Sequence, residues 1–143
     1  MLGIIFGIIA GAAMSVQGVF NTAVSDRAGL LESNLIVQGV AFAASLIAAV
    51  IFGKGNILSA AEVPRVYLTG GLIGVVITVG VMLAIKNMGA AAAISVILIS
   101  QLVMAALIDA FGLFGMQKVT FDIYKIIGVV LMTAGMLLIK NGI

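Results

Sequence analysis

The chain predicts an all-α integral membrane protein with five transmembrane helices, and three observations carry that prediction. First, 64% of the residues are hydrophobic and only 8% charged, with a mean hydropathy of +1.38. A soluble domain is about 45–50% apolar and about 25% charged, so this surplus has no water-soluble core to fill. Second, the apolar residues fall into five runs of about 17–24 residues, each long enough to cross a hydrocarbon layer of about 30 Å. Third, small residues recur at four-residue spacing within those runs, the pattern that lets membrane helices approach closely.

The first helix is expected over about 2–24. Gly3, Gly7, Gly11 and Ser15 form a small-residue ladder along it. Gln17 and Asn21 follow one turn apart on a shared face beside Gly18. No Lys or Arg precedes the apolar run, so a retained helix is expected rather than a cleaved signal. The polar segment from Ser25 to Ser33 is expected to leave the membrane. A second helix over about 34–52 carries Gln38 near its start. Ser59-Ala-Ala-Glu62 matches a capping box and predicts a short interfacial turn. Pro64 fits the first turn of a third helix over about 66–85, where its missing N–H is harmless. Gly70, Gly74 and Thr78 form a second ladder there. Lys86-Asn-Met-Gly89 is a tight turn into a fourth helix over about 90–113. A fifth helix over about 123–139 bears Gly128 and Gly135 on one face. The whole chain, 1–143, reads as a single five-helix domain.

Four residues stand out as substrate- or ion-pathway candidates because polar groups at membrane depth are costly. Gln17 and Asn21 offer hydrogen bonds but cannot titrate; lining a pathway and bonding between helices are equally open to them. Gln101, near the middle of the fourth helix, is expected to face protein or a cavity, since lipid offers it no partner. Asp109 is the only acid inside a predicted span. It lies near the helix C-terminus, where a carboxylate opposes the macrodipole. Coupling or cation binding is one role for it, and a structural pair with Lys118, Lys86 or a partner chain is the other. The ladder glycines Gly3, Gly7, Gly11, Gly70, Gly74, Gly128 and Gly135 read as helix-packing or dimer contacts.

The chain has no Cys and no His. It therefore has no disulfide framework and lacks the usual metal ligands and general base. No enzymatic role, cofactor or metal is expected. The net charge of +2 is scattered, with no polybasic run pointing to nucleic acid. With five crossings the termini lie on opposite sides. One set of connections then holds Lys54, Arg65, Lys118 and Lys125 and the other Arg27, Lys86 and Lys140. This balance gives the positive-inside rule little to act on. Dual topology, or pairing with an inverted second chain, is the resulting expectation.

Gln17-Gly-Val-Phe-Asn21, the stretch Gly89-Ala-Ala-Ala through Ser100-Gln101 to Ile108-Asp-Ala-Phe-Gly-Leu113, and Gly128-Val-Val-Leu-Met-Thr-Ala-Gly135 resemble the YdcZ-like branch of the drug/metabolite transporter superfamily. The resemblance covers essentially the whole chain. It implies a multi-pass protein of the bacterial inner membrane and half of a larger ten-helix fold, completed by dimerisation. It further implies a secondary transporter of a small polar or cationic metabolite or drug, working by alternating access. The related small multidrug resistance proteins are antiparallel dimers with a coupling glutamate in their first helix. This chain has no carboxylate before Asp26, so that coupling is not carried over. The expected partners are the bilayer, a small-molecule substrate, and an antiparallel copy or homologous five-helix chain. The alternative is a non-transporting assembly subunit for such a partner.

Overall fold

A computed structural model describes residues 1–119 and 122–141. The ordered elements among them are helices: α1 (Leu2–Ala28), α2 (Leu30–Phe52), a 3-10 turn (Ile57–Glu62), α3 (Arg65–Leu68), α4 (Gly70–Met88), α5 (Ala90–Phe111), a second 3-10 turn (Leu113–Gly115) and α6 (Ile123–Asn141). α3 and α4 together make one span, Arg65–Met88, so five helices are long and apolar enough to cross a membrane. This agrees with the five predicted crossings.

The boundaries moved in instructive ways. The Ser25–Ser33 segment is helical on both sides of a single residue. α1 runs four residues further than expected and α2 starts four earlier, leaving Gly29 alone between them. Gly29 has φ 99° and ψ 160°, a region reserved almost wholly for glycine. Its N–H donates to the Ser25 carbonyl and its carbonyl accepts from the Ser33 N–H. Gly89 repeats the device, with φ 76° and ψ 164°. Its N–H donates to Ile85 and its carbonyl accepts from Ala93. Each glycine thus closes one hydrogen-bond ladder and opens the next.

The expected capping box at Ser59–Glu62 is also corrected. The cap belongs to Asn56, whose side-chain oxygen accepts from the Leu58 N–H at 3.0 Å, and Ser59 lies inside the turn. An amide one residue before the turn reaches the free N–H directly, as a cap must. Pro64 sits just outside α3, as its N-cap.

The chain groups into two compact units, Met1–Leu83 and Ala84 onward. In the first unit α1 packs on α2. Gln38 Nε2 and Thr78 Oγ1 lie 3.5 Å apart, linking α2 to α4, and Thr78 also donates to the Gly74 carbonyl. In the second unit α5 packs on α6. Small and polar side chains dominate what is buried: Asn21, Thr22, Ser25, Ser33, Asn34, Ala92, Ala93 and Ala106, joined by Met82 and Ile85. Leu, Ile, Val and Phe instead cover the surface. That is the membrane arrangement, in which lipid solvates the large apolar groups and small or polar residues hold helices together.

A methyl group at Gly29 would strike the Glu32 carboxylate and would force an alanine into a glycine-only conformation. Gly29→Ala and Gly89→Ala should each lower unfolding stability in detergent by about 1–3 kcal/mol. Gly11→Ala, with open space around its Cβ, should leave the unfolding of the isolated chain unchanged or slightly raise its stability, because alanine is the better helix former.

Candidate functional site

Each sequence-predicted polar residue has a definite place within its own unit. Gln17 and Asn21 border the same recess on α1, of about 470 Å³, with Ala12, Ala13, Val16 and Phe20. The recess is open, its lining is almost wholly apolar, and no charged group borders it. Gln17 is exposed, whereas Asn21 is buried. Gln101 lines neither this recess nor the cavity described below. It is an exposed residue of α5.

Buried polar groups from the end of α1 and the start of α2 gather around Asn21, two of them, Ser25 and Ser33, in the segment expected to be a loop. Ser33, with no exposed surface, donates from Oγ to the Asn21 backbone carbonyl at 3.1 Å and lies 3.6 Å from Met82 Sδ. Thr22 Oγ1 donates to the Gly18 carbonyl and Ser25 Oγ to the Thr22 carbonyl. These bonds turn hydroxyls inward onto helical carbonyls and consume their donors locally. Asn34 is the exception, since its buried Oδ1 has no partner. The signal was present in the sequence: Ser33 and Asn34 stand side by side at the head of the second apolar run.

Asp109 lies in the last turn of α5, two residues before its end at Phe111. The helix stops there because Gly112 adopts a left-handed conformation, φ 63° and ψ 37°. The Asp109 carbonyl then becomes the hub of the connection, accepting from the Gly112 N–H at 3.3 Å and from the Val119 N–H at 2.9 Å. The returning chain packs Lys118 Cβ and the Met116 carbonyl within 3.4 Å of where a Gly112 Cβ would stand. The Asp109 backbone therefore ties the loop to the helix, which fixes where its side chain starts.

The countercharge is Lys125, not Lys118 or Lys86. Its Nζ lies 3.9 Å from Asp109 Oδ2, with both side chains roughly a third exposed. Lys125 is in the first turn of α6. Asp109 lies two residues before the last residue of α5 and Lys125 two after the first residue of α6, so pairing α5 with α6 brings them face to face. Together they flank a cavity of about 170 Å³ lined by Leu102, Ala105, Ala106, Gly128 and Val129. Gly128 thus borders this cavity, and a Cβ there would meet nothing within 4 Å. The same openness holds at Gly3, Gly7, Gly11, Gly70 and Gly135, while Gly74 approaches Gln38 Nε2 at 3.9 Å.

Hydrogen bonds between membrane helices are worth about 0.6 kcal/mol on average. Ser33→Ala should therefore destabilise the chain by about that amount. Asn34→Leu should be neutral or stabilising, because it removes a buried acceptor that has no partner. Thermal unfolding of the two variants in one detergent distinguishes these outcomes.

No curated protein and no solved structure matches the chain. The family described as "Putative inner membrane exporter, YdcZ" matches residues 2–138, nearly the full length, and those residues include all five apolar spans down to the last turn of α6. The chain therefore belongs to this exporter family and is a multi-pass inner-membrane protein.

Proposed function

We propose that the chain is a secondary transporter that moves a small polar or cationic metabolite or drug by alternating access. It does so as an inverted dimer with a second copy or a homologous five-helix chain. The family's description supports a transport role in general. The observation that carries the finer reading is that a single chain presents its polar groups half-enclosed. Gln17 lies in an open recess and Gln101 is exposed in the middle of a span of mean hydropathy 2.4. Lipid cannot hydrogen-bond a central amide, so a second protein surface or a water-filled path between chains is needed to cover it.

The open glycine ladders supply the room for such an approach. Gly3, Gly7 and Gly11 on α1 and Gly70 on α4 have no neighbour within 4 Å of their Cβ positions, and Gly135 on α6 is equally free. Inversion supplies the second half of a pathway when one chain holds an odd number of crossings, because transporters place their sites between oppositely oriented repeats. The four-against-three charge distribution places no strong bias against either orientation.

The chain has no cysteine, so single cysteines report contacts cleanly. Gln101→Cys should cross-link to a second chain in native membranes, and reporters on the C-terminus should appear on both membrane faces. Vesicles holding the purified protein should take up a small organic cation down an imposed gradient. A single orientation with intact flux would discard the inverted dimer. Cross-linking with no flux of any tested cation or polar metabolite would instead leave an assembly subunit.

A further inference from the structure

The geometry points to the Asp109–Lys125 cavity as a binding site for a small zwitterion, a molecule carrying an ammonium and an anionic group beside a short aliphatic body. The inference deepens the transport reading and rests on it for its purpose, though not for the binding itself.

Both charges stand where their own helices disfavour them. Asp109 is in the last turn of α5 and Lys125 in the first turn of α6. A helix C-terminus carries partial negative charge and an N-terminus partial positive charge, so the carboxylate and the ammonium each oppose the local macrodipole. At 3.9 Å they attract one another without reaching the 2.7–2.9 Å of a charge-assisted hydrogen bond. The pair thus keeps nearly all its hydrogen-bonding capacity. A pair built for stability would have the charges exchanged between the two helices. Local rules broken in this way are characteristic of functional sites.

A zwitterion reverses the conflict. Its ammonium beside Asp109 also faces the negative end of α5, and its anionic group beside Lys125 also faces the positive start of α6. Each ligand charge thereby meets an opposite side chain and a favourable dipole, while the site stays neutral overall. A lone cation or anion satisfies one end only and leaves the other charge unpaired, which is costly away from water. The cavity is about 170 Å³ and is otherwise lined by Leu102, Ala105, Ala106, Gly128 and Val129. It is smaller than the roughly 300–1,000 Å³ of drug-sized pockets, so it suits an aliphatic body of amino-acid size. Openness at Gly128 keeps the floor of the cavity free.

The test uses the full chain in phosphatidylglycerol nanodiscs, titrated with L-leucine by calorimetry. Isopentylamine, which lacks the carboxylate, and 4-methylpentanoate, which lacks the ammonium, serve as matched probes. Leucine should bind at least about tenfold more tightly than either. Equal binding of the amine or the acid, or no binding of any of the three, overturns the inference. Asp109→Asn and Lys125→Gln should each weaken leucine by about tenfold or more. The double reversal, Asp109→Lys with Lys125→Asp, should raise the unfolding temperature and weaken leucine binding, since the side chains then agree with the dipoles and the ligand no longer does. Unchanged leucine affinity in that variant also overturns it. An ethanolamine phospholipid carries the same pair of charges. Nanodiscs containing phosphatidylethanolamine should weaken leucine by competition if the headgroup is the natural occupant, and leave it unaltered if a free solute is; either result upholds zwitterion recognition. Leucine binding with no flux of leucine or of any tested cation or polar metabolite in vesicles would sink the transport reading alone. Cation flux without leucine binding would sink this inference alone.

Discussion

In hydrocarbon every backbone N–H and C=O must find its partner within the protein, and the rest of this structure follows from that constraint. A loop between two helices is a run of unpaired groups, so the shortest connection that still reverses the ladder is the least costly. Gly29 and Gly89 achieve it with one residue each. Both donate to the helix behind and accept from the helix ahead, in a conformation no side chain tolerates well. Because the first break is a single residue, Ser33 falls next to the Asn21 carbonyl rather than in solvent. Placement of the polar cluster in the first unit is therefore a consequence of the glycine, not an independent feature.

The same constraint explains the inverted burial. Large apolar side chains gain little by leaving lipid, so they remain on the surface. Small and polar residues such as Ala92, Ala93, Ala106 and Ser33 are buried in their place, since small side chains permit close helix approach. Thr22, Ser25, Thr78, Ser95, Ser100 and Thr133 all turn their hydroxyls onto carbonyls of their own helices, which satisfies the donor but gives little cohesion between helices. Much of the apolar surface of the described residues is exposed.

Spans were readable from composition and length because those quantities report directly on transfer into lipid. What was not readable depends on geometry that hydropathy does not encode. Ser25 to Ser33 looks like a loop on any polarity scale, yet it is helical on both sides of Gly29, with Ser25 and Ser33 buried and Asp26, Arg27 and Glu32 exposed. Sequence also placed Asp109 near a helix end, and the structure moves it nearer still. Its partner was missed because Lys118 is closer in sequence, while α5–α6 pairing makes Lys125 the closer one in space. Gln101 is exposed in α5, at a depth where lipid offers an amide no hydrogen bond. Its side chain reports on a surface that the single sequence cannot draw.

The two units consequently differ in what they leave unsettled. In the first, hydroxyls and backbone carbonyls largely satisfy each other, and the exception, Asn34 Oδ1, is neutral. In the second, a full positive and a full negative charge face a cavity at a distance too long for a hydrogen bond and at helix ends that repel them. Chemical work of binding is better matched to the second arrangement. Neutral glue stabilises whichever conformation forms it, whereas a strained charge pair changes its energy whenever a ligand charge arrives. A transporter needs at least one such element, because a ligand shifts a conformational equilibrium only by its differential interaction with the two states. The Asp109–Lys125 pair, whose charges border a cavity, is an element of that kind.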